Sequence, residues 1–88
     1  MNTLFDNSYG RDLKKIADKK RKAEIKKAVL SVRKSQTVKN IPRLKKLKGY
    51  RIHYRIRTGD YRIGITIEGD TVTFLRCLPR KDFYKVFP

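Results

Sequence analysis

Tryptophan is absent from these 88 residues, and cysteine, methionine and histidine occur once each. A single cysteine, Cys77, excludes an internal disulfide, and with no second cysteine a structural zinc site of the usual kind has no ligand set. Cys77 follows Leu75 and precedes Leu78, so it reads as a small buried apolar residue. No metal or organic cofactor is expected. No apolar run approaches the length that spans a bilayer. The start, Met1-Asn2-Thr3-Leu4-Phe5-Asp6, lacks the basic-then-apolar order of a signal peptide. The chain is therefore expected in the cytoplasm. Repeats, low-complexity tracts and linker-like stretches are missing too. One domain over residues 1–88 is the expectation, with one sheet and a helical layer about the limit of what so short a chain can bury.

Acidic side chains are scarce. Eight Asp and Glu face 24 Lys and Arg, a formal net charge of +16. Between Ile25 and Gly59 stand 12 basic residues and no acidic one. Solvated faces usually mix both signs, so a one-sign run of this length points to a nucleic-acid surface or an acidic partner. A membrane surface fits less well, because the basic stretches lack the tryptophan and long aliphatic stripe of an interfacial helix. Hydrophobic residues make up 39% of the chain, enough for a folded core and against simple disorder.

What is present arranges itself by period. Thr3-Leu4-Phe5 reads as a short edge strand. Ser8 reads as a helix N-cap, with Asp12 in the first turn favouring the positive helix end. Leu13, Ile16 and Ala17 follow at helical spacing. A second helix from about Arg21 to Lys34 shows the stripe Ile25, Ala28, Val29, Val32. The two are nearly contiguous and should form an antiparallel pair across a tight bend. Pro42 and Gly49 bracket a basic connection, Arg43-Leu44-Lys45-Lys46-Leu47-Lys48. The period then switches to two: Arg51, His53, Arg55 and Arg57 alternate with Ile52, Tyr54 and Ile56. Thr58-Gly59-Asp60 is a turn. Ile63, Ile65 and Ile67 form the inward face of a second strand, leaving Arg62, Gly64 and Thr66 opposite. After Glu68-Gly69-Asp70, a third strand runs from Thr71 to Leu78, apolar on both sides as a central strand should be, and Pro79 stops it. The tail from Arg80 is a last helical turn or an extended flap. The fold class is α+β, in the order β-α-α-β-β-β: a small antiparallel sheet covered on one face by a helix pair. The other face then displays Arg55, Arg57 and Arg62 beside His53. Like charges on neighbouring strands cost stability, so their concentration suggests a phosphate site.

These residues also carry a resemblance. Leu47-Lys48-Gly49-Tyr50 followed by Tyr54-Arg55-Ile56-Arg57-Thr58-Gly59-Asp60-Tyr61-Arg62-Ile63 resembles the signature of RelE/ParE-superfamily toxins, and Pro79-Arg80-Lys81-Asp82-Phe83-Tyr84-Lys85 resembles their terminal motif. The likeness covers essentially the whole chain. It implies one of two activities. RelE-like members are mRNA interferases that cut messenger in the ribosomal A site. ParE-like members keep the fold and poison DNA gyrase. In both, an antitoxin wraps and silences the toxin, here expected to be acidic and to form a heteromeric complex. The resemblance places Arg55 and Arg62 on the basic strand positions and matches Arg80 and Tyr84 to the terminal motif. His53 falls where RelE carries a lysine, and Pro79 replaces a histidine of the common motif.

Cleavage by a ribose 2′-hydroxyl needs removal of a proton, stabilisation of the charge on the phosphorane, and protonation of the leaving 5′-oxygen. Arginine suits the second task, because its planar fork grips phosphate and stays charged. It is a poor proton shuttle, with a pKa above about 12. Histidine is the side chain whose ordinary pKa lies near neutrality, which nominates His53. Tyr84 could stack on a base or relay a proton. The candidate catalytic set is thus Arg55, Arg62, Arg80, Tyr84 and His53. Lys45, Lys46, Lys48, Arg57 and Lys81 are candidates for phosphate contacts that hold RNA without reading its sequence. Each has a plainer reading: His53 as a polar strand residue, Tyr84 as a core aromatic beside Phe83 and Phe87, Tyr50, Tyr54 and Tyr61 as packing. A non-catalytic RNA-binding domain remains a third possibility, though no strand carries paired aromatics as a stacking platform.

Overall fold

Two tight turns built on glycine set the sheet. Gly59 and Gly69 adopt φ of 59° and 58°, a left-handed conformation that glycine enters without steric cost. The computed structural model describes residues 1–88, and the turns join three antiparallel strands: β3 (His53–Thr58), β4 (Tyr61–Glu68) and β5 (Thr71–Pro79). Isoleucines alternate along β4 as the period-two pattern requires, and Ile63 and Ile65 are wholly buried. A β-bulge interrupts the β4–β5 register between Gly64 and Ile65.

Two further strands complete a five-stranded sheet in the order β1-β5-β4-β3-β2. β1 (Asn2–Phe5) is the expected edge strand, but it pairs with β5 in parallel. The sheet is therefore mostly rather than wholly antiparallel. β2 (Leu44–Lys46) occupies what the sequence suggested was only a basic connection, and it pairs with β3 in the register Leu44↔Ile56, Lys45↔Arg55 and Lys46↔Tyr54. Three residues with one apolar side chain are too few to display a period, which is why pairing rather than pattern reveals this strand.

α1 (Asn7–Lys14) and α2 (Lys19–Lys34) cover one face. α1 is capped by Asp6, not Ser8: the Asp6 carboxylate accepts the Ser8 N–H at 3.1 Å, and bonds from the Ser8 hydroxyl and then from this N–H hold its pKa below the ordinary carboxylate range. The Ser8 hydroxyl lies between that carboxylate and the Leu75 carbonyl of β5. Asp18 caps α2 in the same way through the Lys20 N–H, so this helix begins at Lys19, two residues ahead of the expected start at Arg21. Asp12 does not serve the helix end. It is buried and accepts from Arg76 Nε at 2.8 Å, Arg76 Nη2 at 3.1 Å and the Cys77 N–H at 2.9 Å. A buried carboxylate needs such donors; in return it raises the Arg76 pKa and ties α1 to β5. The helices are not closely paired either. A groove of about 840 Å³ opens between them, floored by Tyr9, Ile25 and Val29.

The core gathers Tyr9, Ile16, Ile25, Val29, Val32, Ile56, the β4 isoleucines, Val72, Phe74 and Cys77. Burial pushes the Cys77 thiol up to about 12. The tail forms α3 (Arg80–Val86), which packs on β4 and β5 with Phe83 and Phe87 buried. The Phe87 ring lies over Gly64, where an added Cβ would meet it at 2.7 Å. No helix is long and apolar enough to cross a membrane.

Candidate active site

Arg55 owes its position to β3 alternation and to the β2 edge. Register places it directly across from Lys45. Its Nη1 donates to the Arg43 carbonyl at 2.9 Å, while its Nε is buried with no protein acceptor. A buried donor left unpaired costs roughly 1–3 kcal/mol.

Tyr84 comes from the other end of the chain. Pro79 closes β5 and serves as the N-cap residue of α3. The Arg80 N–H then donates to the Asp60 carbonyl at 2.7 Å, pinning the start of the helix to the β3–β4 turn. Phe83 turns inward. Its neighbour Tyr84 is 56% exposed and stands edge-on to the Phe83 ring, with centroids 5.0 Å apart. The core-aromatic reading of Tyr84 is thereby excluded.

Two clefts meet at Tyr84. One, of about 500 Å³, is lined by Lys45, Lys46, Lys48, Arg55 and Tyr50, with Phe87 at its base. The other, of about 440 Å³, is lined by Arg80, Lys81, Pro79 and Asp60. Seven of the ten candidate residues therefore share linings centred on one tyrosine. No acidic side chain lines the first cleft. Nor do three His, Cys, Asp or Glu residues anywhere in the fold converge as a metal site would require.

The remaining three lie elsewhere. Arg62 is buried rather than displayed: its Nη1 donates to the Gly59 and Tyr61 carbonyls at 2.9 and 3.0 Å, bracing the turn. Its Nε, like that of Arg55, has no protein acceptor. Arg57 is exposed but lines a separate cleft with Glu24 and Lys27 of α2. His53 is half-buried between two rings, 5.4 Å from Tyr50 and 5.8 Å from Phe87 by centroid, and lines neither cleft beside Tyr84. Strand alternation put all three on one face. It said nothing of α3, whose phenylalanines cover part of that face.

Two contributors were not legible. Tyr50 is 47% exposed and lies in the loop ahead of β3 rather than on a strand, so packing does not account for it; its loop position after Gly49 was the available signal. Tyr54 and Tyr61 do pack against the core. Arg43 contributes a carbonyl, which no side-chain pattern reports.

As chemistry, the arrangement combines an aromatic surface for a base, a phenol hydroxyl, and cations on either side of it. That set has the residue types that suit contact with a phosphodiester and a base.

The family model described as the ParE toxin of type II toxin-antitoxin system, parDE, matches residues 4–84. The chain is similar to Toxin RelE3 of Methanocaldococcus jannaschii, 42% identical over 89 aligned residues that cover 100% of each sequence. Its structure is similar to the toxin fold in the RelB-RelE antitoxin-toxin complex from Methanococcus jannaschii, with a TM-score of 0.81 and 39% identity, covering 97% of this chain and 99% of that one. The YoeB dimer from Staphylococcus aureus, at 22% identity, shares the fold with a TM-score of 0.70, covering 88% of this chain and 93% of that one.

Proposed function

From a chain that belongs to the RelE/ParE superfamily of type II toxins, we propose a RelE-like toxin that cleaves messenger RNA on the ribosome. The observation that carries this reading is the exposed Tyr84 at the junction of two cationic clefts. A ribose 2′-hydroxyl gives up its proton as its oxygen bonds to the adjacent phosphorus, the bond from phosphorus to the 5′-oxygen breaks, that oxygen takes up a proton, and a 2′,3′-cyclic phosphate remains. Arg55 and Arg80 neutralise the charge that builds on the non-bridging oxygens, which is usually the dominant catalytic contribution. Tyr84 stacks on a base and directs its hydroxyl at the reacting ribose. Lys45, Lys46, Lys48 and Lys81 supply affinity through phosphate contacts. Arg62 acts from beneath, by holding the turn that anchors Arg80. His53 is the remaining candidate proton acceptor.

Single-turnover cleavage of ribosome-bound messenger tests this division. Tyr84→Phe should retain stacking and separate it from proton handling, while Tyr84→Ala removes both. His53→Gln should lower the single-turnover rate if the imidazole takes the 2′ proton and leave it unchanged if His53 only packs between Tyr50 and Phe87. New messenger breaks at defined codon positions, before any effect on replication, are the expected cellular signature.

A second reading has one observation behind it, the ParE description of the matching family. A gyrase poison would give DNA double-strand breaks before translation stops, and that order would replace the present reading.

The partner in either case is an acidic antitoxin, and the protein works in the cytoplasm. The groove between α1 and α2 supports this: its apolar floor is rimmed by Arg11, Lys14, Lys26 and Arg33, a lining suited to an amphipathic segment with acidic edges. Co-expression should yield a soluble complex whose affinity is less salt-sensitive than RNA binding. A chain harmless at high expression that captures no acidic partner would defeat the toxin reading.

A further inference from the structure

Arg43 follows Pro42 at the entry to β2 and is the non-glycine residue with positive φ, at 58°. Side chains other than glycine, asparagine and aspartate rarely enter this region, because Cβ approaches the carbonyl oxygen that follows. Backbone strain held in place by its surroundings is a reason to ask what the conformation achieves. Here it aims one carbonyl oxygen. That oxygen accepts the Arg57 N–H at 3.2 Å, extending the β2–β3 ladder, and also Arg55 Nη1 at 2.9 Å.

The second bond is the one protein hydrogen bond made by the Arg55 guanidinium. Register sets Arg55 directly opposite Lys45, and Lys46 and Lys48 share the cleft. Left alone, so many like charges would drive the guanidinium away from them and toward water. A carbonyl dipole at hydrogen-bond distance opposes that drift and leaves most of the guanidinium N–H groups free for a phosphate. Arg43 is a lining residue of a different cleft, alongside Lys27 and Arg57, and the contact it makes with Arg55 is through its carbonyl. Its effect on Arg55 is therefore exerted through the backbone.

We propose that Arg43 is a positioning residue for catalysis: its left-handed backbone holds the carbonyl that orients Arg55 over the cleft beside Tyr84. The proposal rests on the cleavage reading above, and extends it to a residue that touches neither substrate nor reacting atoms.

The test compares Arg43→Val with Arg43→Gly. Both remove the same charge, so any loss of phosphate affinity is common to them. They differ in tolerance of positive φ, which valine resists and glycine accepts. Arg43→Val should lower the single-turnover rate constant at saturating ribosomes by roughly ten- to a hundredfold, the scale expected of a misplaced catalytic group. Arg43→Gly should rescue most of that loss, with half-saturating ribosome concentrations equal in the two variants. On an Arg55→Gln background the difference between valine and glycine should vanish, because the group being positioned is gone. Equal rate constants for the two variants, or a valine effect that persists in full without Arg55, would overturn the proposal. Should Arg43→Val fail to fold, the series glycine, asparagine, alanine spans the same range of tolerance and must give the same rank of rates.

A readout independent of the reaction separates this proposal from the cleavage reading. Guanidinium N–H exchange at Arg55, followed by nitrogen-15 NMR, should be slow in the parent and in Arg43→Gly and fast in Arg43→Val. If the parent cleaves nothing, the cleavage reading fails while this exchange pattern still reports whether the carbonyl holds Arg55. Identical exchange in all three chains would refute the positioning itself.

Discussion

The sheet face under α1 and α2 is closed by Ile56, Ile63, Ile65, Val72 and Phe74, all buried. The face under α3 is closed only in patches, by Phe83 and Phe87, and between them it sets Lys45 against Arg55 and Arg57 against Arg62 in direct register. Opposed like charges lower sheet stability by amounts comparable to what a good cross-strand pair contributes, about 0.2–1 kcal/mol each. The first face therefore stabilises the fold, and the second tolerates a standing electrostatic cost that a polyanion would relieve. Substitutions on the two faces should accordingly fail in different assays.

The largest expected effect lies on the first face. Phe74→Ala deletes a fully buried ring that packs against Phe5 and Tyr9. Chemical denaturation should show a loss of about 3–5 kcal/mol. A much smaller loss would mean that this face is less closed than its burial indicates.

Arg55→Gln and Arg80→Gln probe the second face. Each should lower the cleavage rate constant by about a hundred- to a thousandfold, equivalent to roughly 2.7–4 kcal/mol of transition-state stabilisation. Denaturation midpoints should hardly move, and Arg55→Gln should if anything raise the midpoint by removing the charge facing Lys45. Wild-type rates in both would break the division of labour between the faces.

Gly64→Ala sits between the two. The added Cβ would press on the Phe87 ring, and relief requires α3 to shift, at a cost of about 1–3 kcal/mol. Because Tyr84 rides on α3, the cleavage rate should fall by more than this stability loss would imply. Limited proteolysis should find the tail loosened first.

Replacing Lys45 and Lys46 together by alanine should weaken ribosome binding and shallow its salt dependence by roughly 0.7–0.9 per lost phosphate contact. Single-turnover cleavage at saturation should stay near the parent value. A collapse of the rate constant instead would place these lysines in the chemistry.

A further effect is a pH dependence of the first face, seen only at alkaline pH. Burial raises the Cys77 thiol from 9.0 to about 12, and Tyr9 is raised by burial as well. Both groups are held neutral in the folded state, so their contribution is complete below their ordinary pKa values. It is lost as pH climbs from 9.0 toward about 12, where the unfolded chain ionises first. Denaturation midpoints should thus decline over that interval, and Cys77→Val should lessen the decline. Thiol reagents should label Cys77 only on unfolding.

Much of the first face could be read from the chain. Isoleucine alternation along β4, the Ile25–Val32 stripe and the Gly59 and Gly69 turns are local signals, each complete within a few residues. Helix starts were less legible, because Asp6 and Asp18 cap outside the apolar stripe that marks the helices. On the second face the residue types were legible and their grouping was not. Arg55, Arg62 and His53 alternate correctly along the strands, yet Arg62 turns to the Gly59 and Tyr61 carbonyls and His53 lodges between Tyr50 and Phe87.

The sequence by itself determined the charge, the strand periods, the turn sites and the family signature, because each is a property of composition or of near neighbours. Tertiary structure alone decided that Lys45 and Tyr84 line one cleft, that β1 runs parallel to β5, and that α3 covers part of the cationic face. Those outcomes depend on strand order and on where the tail folds back. Strand order rests on the pairing of β1 with β5 and of β2 with β3, and the tail is held by buried Phe83 and by Phe87 over Gly64, contacts between residues distant in the chain that no local pattern encodes.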